Sequence, residues 1–419
     1  MIRKVTVVWF VYCICMCSGQ PSRDEFNLFC RILEKADSIV TEVQDYVYDE
    51  WQDRKAVWEM KRLYNATTGN MNQLRRTLWD MRDFLQQNPP PIQSRNRQKA
   101  HGTVLKLIAE ADKIVRENRD AAERVNKKIE EAKLSVLQGL YGENVKGIPV
   151  TDGNFTAIQS EEWSIFNNAS TASGSCGNNS ATGKTLFNDI FCVCVGEGGD
   201  ADGPCSPYIL PPKNGGGSGK WTQIKYTSSN SKALSLSESI TKIEEACKKH
   251  LEENIVDRPK GMKALLKEFA DLIGVGEAKE NNSRHIFGHR RRSNKDGNKV
   301  TSCDGTTGNQ NSGGTKEKKN EKFCIDYKNN FESERNTYSI PWHNKFQAYF
   351  TKMHEAKSLE EKILQNRAEI LILKAKAWAA YGQEKEDETA NLDDISVTVE
   401  YETTHNFPLL YFLTCNFFL

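Results

Sequence analysis

Apolar residues return along this chain at alternating steps of four and three. From Val104 the series runs through Ile108, Ala111, Val115, Asn118, Ala122, Val125, Ile129, Ala132 and Val136, so nine of its ten positions are apolar. That spacing is a heptad seam and predicts a long helix whose one face packs along another helix. The pattern reappears at Leu359, Ile363, Asn366, Ile370, Leu373 and Ala377, again with a single asparagine. A polar seam residue weakens a coiled coil but fixes its register, so two helices aligned over their whole length are expected. Both are expected to close in a Tyr-Gly pair, Tyr141-Gly142 and Tyr381-Gly382.

A third amphipathic segment covers about Asp24 to Tyr64, with Ile32, Ala36, Ile39, Val43 and Tyr46 on its seam. Val57, Met60 and Tyr64 follow after a charged interval at Glu50 and Asp53. As one helix it would be roughly 60 Å long. A shorter helix from about Asn70 to Gln87 stops ahead of Pro89-Pro90-Pro91, because proline removes a donor and disfavours helix in the residue before it. Helices over 24–64, 100–140 and 344–381 predict a mainly α fold, an elongated antiparallel coiled-coil rod or bundle. Everything else then decorates its ends.

Two stretches break the periodicity. Between Gly147 and Ser231, Gly, Ser, Asn and Thr dominate, four cysteines appear, and the strand-like runs are Phe191–Val195 and Trp221–Tyr226. Such a segment buries little apolar surface, so cross-links must replace core, and a disulfide-linked, loop-rich lobe is expected. Helical pattern resumes from about Ala233 to Val256 and, past Pro259, to Ile273. Gly274 to Lys322 is polar and glycine-rich and reads as a mobile surface excursion bracketed by Cys303 and Cys324.

The two ends change the picture from a helical protein to a secreted one. Residues 1–19 read as a secretory signal: Arg3 and Lys4 precede an apolar run from Val5 to Met16, and Cys17 and Gly19 supply small residues for cleavage. Of 12 cysteines, Cys13, Cys15 and Cys17 leave with the signal and Cys415 lies in an apolar tail. Cys30, Cys176, Cys192, Cys194, Cys205, Cys247, Cys303 and Cys324 remain. In an oxidising compartment this even number is compatible with four disulfides of unassigned pairing. Cys192 and Cys194 are expected to reach different segments, since C-x-C does not easily close on itself.

Acceptor triplets for N-linked glycans begin at Asn65, Asn154, Asn168, Asn178 and Asn281. The last residues, Phe407 to Leu419, are apolar and too short to span a bilayer comfortably. They resemble the cleaved tail of a lipid-anchor signal, with Ser396 as the small residue at a suitable distance for GPI attachment. Residues 386–419 are thus a short linker and tail.

Charge and motifs exclude more than they assign. Lys and Arg number 57 against 56 Asp and Glu, so no overall basic field points to nucleic acid. Gly183-Lys184-Thr185 ends like a phosphate-binding loop, but Asn178 stands where that loop needs glycine, and Gly215 to Lys220 fails in the same way. Cys247 with His250, and His285 with His289, have helical metal-ligand spacing, yet cysteines in a secreted chain serve disulfides and the histidine pair falls in the excursion. Arg290-Arg291-Arg292 reads as a solvated loop. No catalytic residue, metal site or cofactor is expected, and the chain does not read as an enzyme.

Four segments together resemble the N-terminal domain of the trypanosome variant surface glycoproteins (VSGs). They are Phe26-Asn-Leu-Phe-Cys30-Arg-Ile-Leu-Glu-Lys-Ala36, the helix end Val136-Leu-Gln-Gly-Leu-Tyr-Gly142, Phe191-Cys-Val-Cys-Val195 running on to Gly203-Pro-Cys205, and the return helix from Lys362 to Gly382. The similarity covers roughly residues 20–385. It implies a GPI-anchored homodimer on the outer face of the plasma membrane, packed among neighbouring coat molecules and meeting host antibodies at its loop tips. Steric shielding and antigenic variation would be its work. The same scaffold serves an alternative, a nutrient receptor that binds a host serum protein. Many members carry a cysteine-rich C-terminal domain, for which residues 386–419 are too few.

Overall fold

The structure, a computed structural model, describes residues 23–149, 162–166, 173–177, 182–196, 204–209, 236–253, 261–274, 284–288, 303, 305 and 323–386. It is mainly α, with long helices packed together and four disulfides. The chain divides into two compact units. The first gathers the residues up to Asp37 and Leu137–Lys345, and the second gathers Ser38–Val136 and the chain from Phe346.

The second unit is the heptad bundle. Helix α1 spans Arg23–Glu42, its residues to Asp37 belonging to the first unit, and α2 Glu50–Ala66, α3 Met71–Leu78, α4 Arg82–Gln87 and α5 Ser94–Tyr141 follow, α5 lying in the second unit as far as Val136. At 48 residues α5 is about 72 Å long. All ten seam positions from Val104 to Val136 are buried, Asn118 among them at 0% exposure. Seven of them, Val104 to Val115 and Ala122 to Ile129 along the seam, share two core clusters with the long return helix Pro341–Glu386, in which Ile363, Ile370, Leu373 and Ala377 are buried. Glu131 pairs with Lys352, Lys128 with Glu355, and Asn118 meets Asn366, so the two helices run antiparallel. Helix α2 adds Ala56, Val57, Met60 and Leu63 to the same core, and Phe84 of α4 sets its ring 5.9 Å from that of Trp378.

The first helix is not continuous. Residues 43–49 leave the helix, and α2 begins afresh with Asp49 as its cap, the carboxylate accepting the Trp51 N–H at 3.1 Å. Val43, Tyr46, Val47 and Tyr48 crowd β-branched and aromatic side chains into one turn, which weakens helix there. Asn126 on α5 then satisfies the freed backbone, accepting from Tyr46 N–H at 2.7 Å and donating to its carbonyl at 3.0 Å. Val43 and Tyr46 still pack on the Ala122, Val125 and Ile129 stretch of the seam, so apolar spacing survives where helix does not. The segment predicted as a helix over 70–87 is likewise two helices, α3 and α4, with a turn at 79–81.

The first unit is built around aromatic rings and disulfides. Helix α6 spans Leu186–Ile190 and runs directly into a π-helical turn, Phe191–Val195. The expected strand is therefore a wide helical turn whose five residues are all buried. Helix α7 covers Leu236–Glu253 and α8 Met262–Leu272. Strand β1, Ile286–Phe287, pairs antiparallel with β2, Ile325–Asp326, and β3, Phe331–Glu332, with β4, Thr337–Tyr338. The return helix, α9, opens with Pro341 at its first position, where the missing N–H is no loss.

Phe269 centres the core, with the Phe287, Trp342 and Tyr327 rings 4.5, 4.7 and 6.0 Å away. Gly142, just past α5, has φ +97° and no room for a side chain: a Cβ would lie 2.2 Å from the Ser164 carbonyl oxygen. The second Tyr-Gly pair ends nothing, because α9 continues through Gly382 to Glu386.

Candidate functional site

In the second unit the two seam asparagines meet. Asn366 Nδ2 donates to Asn118 Oδ1 at 2.7 Å, and Asn118 Nδ2 donates to Asp53 Oδ2 at 2.9 Å. Asp53 is 3% exposed; its Oδ1 forms an ion pair with Arg367 Nε at 3.0 Å, while the Tyr48 hydroxyl donates at 2.6 Å to Oδ2, the oxygen that Asn118 also reaches. Arg367 also donates to the Asp49 carbonyl at 2.6 Å. Three helices and the break before α2 are thus joined at one level, and a sliding of any of them by a turn leaves a buried carboxylate without its partners. Burial and the Asp53 carboxylate push the Tyr48 hydroxyl well above its usual range, so it remains a donor. The charged interval at Glu50 and Asp53 was the sequence signal for this layer, though not for its partner Arg367.

In the first unit the eight cysteines close as Cys30–Cys247, Cys176–Cys192, Cys194–Cys205 and Cys303–Cys324. Cys192 and Cys194, one residue apart on the π-helical turn, tie it to two different segments. Beside them Asp189 is fully buried. Its carboxylate accepts from the Tyr327 hydroxyl, from Trp342 Nε1 at 2.5 Å and from Asn188 Nδ2 at 3.1 Å. Burial pushes its pKa up to about 7, against the lowering effect of the three donors. Tyr327 and Trp342 stand 138 and 153 residues away, and no local pattern announces them.

The motifs weighed from the sequence find structural work. Gly183 has φ +74°, and a Cβ there would strike Ile340 Cγ2 at 2.6 Å. The Lys184 ammonium donates to the Phe166 carbonyl at 2.9 Å, and Thr185 caps α6, its hydroxyl accepting the Asn188 N–H at 3.0 Å and donating to the Ile165 carbonyl at 2.9 Å. Cys247 is held in its disulfide, and His250 lies 3.2 Å from Asn27 Oδ1 against the Phe26 ring. His285 Nδ1 is 3.1 Å from the Tyr338 hydroxyl. Among the described residues no three His, Cys, Asp or Glu side chains gather as metal ligands.

Of the glycan acceptors, Asn65 sits half-buried in the last turn of α2. Its triplet partner Thr67 is 1% exposed, with its hydroxyl 3.0 Å from both the Leu63 and Tyr64 carbonyls. Asn154, Asn168, Asn178 and Asn281 lie outside the described residues, as do His289, Arg290-Arg291-Arg292, Trp221–Tyr226, Ser396, the signal segment and the apolar tail.

A family model described as the trypanosomal VSG domain matches residues 22–370. The chain belongs to this family. Comparison with curated proteins returns no match. As a VSG domain the protein is a trypanosome surface coat protein, of a family whose role is structural. Membership places it at the cell surface, and among its described residues no helix is long and apolar enough to cross a membrane. The VSG match begins at the opening of α1 and ends inside α9, so it takes in the whole described lobe and most of the seam.

Proposed function

We propose that this VSG domain forms a dense protective layer on the parasite and supports immune evasion by antigenic variation, through steric shielding without catalysis. The observation that carries the reading is the family match across residues 22–370. Two features fit it. Long helices aligned in register suit molecules packed side by side, and disulfides let a lobe hold its fold while its loops change. Loops tolerate substitution because their backbone is least constrained, so variation concentrates where antibodies reach.

Residues 1–19 act as the signal, 20–385 as the coat domain with its lobe at 147–231 and excursion at 274–322, and 386–419 as linker and GPI signal with attachment at Ser396. The mature protein is a homodimer held in the membrane by that lipid and flanked by other coat molecules. Treatment of intact expressing cells with phospholipase C tests this. Release of the protein as an abundant band of dimer mass is the expected result. Retention on the cells would overturn the anchor, and a scarce band that holds a host serum protein on an affinity column would overturn the coat role.

A further inference from the structure

Two tryptophans stand out on α2, on the face turned away from the core. Trp51 is 70% exposed and Trp58 56%. With Lys55, Arg62 and Asn65 they fall at steps of four, three, four and three, which is one stripe along a helix. The buried residues Ala56, Val57, Met60 and Leu63 occupy the other side. The Trp58 ring is set in place: the Arg62 guanidinium lies 5.0 Å over it and 4.3 Å over Phe84, a core ring. Asn65, the acceptor, closes the stripe at its C-terminal end. A helical side chain points back over the turn that precedes it, so whatever is attached to Asn65 starts out over Arg62 and Trp58. By helix rise Trp58 is about 10 Å from Asn65 and Trp51 about 21 Å.

We propose that the stripe Trp51, Lys55, Trp58 and Arg62 is the bed of the N-linked glycan carried by Asn65. The inference rests on the reading of Asn65 as an acceptor. In that modification the Asn65 amide nitrogen bonds to the anomeric carbon of a lipid-diphosphate-linked oligosaccharide, the diphosphate leaves with the broken C–O bond, and the amide proton passes to a base. The first sugars then lie with their C–H faces on Trp58, whose opposite face Arg62 covers, and the guanidinium and the Lys55 ammonium donate to sugar hydroxyls. A flexible glycan is thereby laid along the helix rather than projected from it, and two apolar rings are shielded from water without a protein partner.

The full chain, secreted from a eukaryotic host, tests this by hydroxyl-radical footprinting with peptide mass mapping. Wild type, enzymatically deglycosylated wild type and Asn65→Gln are compared. The substitution leaves the helix end intact, because Thr67 supplies its capping. Expected is an occupied Asn65, with labelling of Trp58, and more weakly of Trp51, rising several-fold when the glycan is absent. Trp79, 83% exposed in the turn after α3, should not change. An unoccupied Asn65 would remove the acceptor reading and the proposal together. An occupied Asn65 with equal labelling of Trp58 in all three samples overturns the proposal alone. So does protection that persists in Asn65→Gln and grows with protein concentration, since a second copy would then cover the face.

Discussion

The two units hold together by different means. All four disulfides fall in the first unit, where the chain is drawn from distant stretches and centred on a few aromatic rings. Among the described residues the second unit has none and relies on repeating helix contacts, with one buried polar layer to set their alignment. Covalent cross-links act mostly on the unfolded chain and ask little of the sequence between them. A heptad seam acts on the folded state and constrains every third or fourth residue. A lobe can therefore change its sequence widely where a seam cannot.

The sharpest way to break the contrast is to open Cys30–Cys247, which spans 217 residues. Replacing both cysteines by serine should cost about 5 kcal/mol by the loop-entropy relation, whereas the same change at Cys194–Cys205, with a separation of 11, should cost about 3. Urea unfolding of the variants checks the ranking, and equal losses would show that loop length does not govern the lobe.

Asp189 gives the next effect, one confined to the first unit. Its pKa is raised from 3.8 to about 7 on folding, so the folded state holds a proton that the unfolded state releases. Stability from this group is complete below about pH 4 and is lost as pH rises through 7, in all about 4 kcal/mol. Melting temperatures measured from pH 4 to 8 should fall more steeply for the wild type than for Asp189→Asn. Parallel profiles would place the pH dependence elsewhere.

In the second unit Arg367→Ala strips the ion-pair partner from a carboxylate that is 3% exposed and should cost about 3 kcal/mol. Replacing Asn118 and Asn366 together by leucine takes one donor from the buried Asp53 carboxylate and should cost about 2 kcal/mol while loosening helix alignment, which spin-label distances between α5 and α9 would report as a broadened distribution. The smallest effect belongs to the solvent-exposed pair Lys267–Asp271, where Lys267→Ala should shift stability by less than about 0.5 kcal/mol.

Legibility in the sequence follows the same division. Every α5 seam residue from Val104 to Val136 was readable, because burial on one face imposes a period. The break at 43–49 was not, since Val43 and Tyr46 keep seam spacing while Asn126, about 80 residues on, supplies the hydrogen bonds that let the helix stop. Phe191–Val195 read as a strand from its β-branched and aromatic residues; two disulfides and complete burial hold it as a π-helical turn instead. The Asp189 cluster joins residues with no shared spacing, so only the folded chain shows it.

The Cys303–Cys324 bridge sets its two Cα atoms 5.0 Å apart, with β2 starting at the residue after Cys324. Whatever lies between those cysteines begins and ends at fixed points. Doubling the length of such an insert adds only about 0.6 kcal/mol of closure entropy. Here a lineage can lengthen, shorten or rewrite its chain, and the neighbouring hydrogen-bonded pairs register almost none of it.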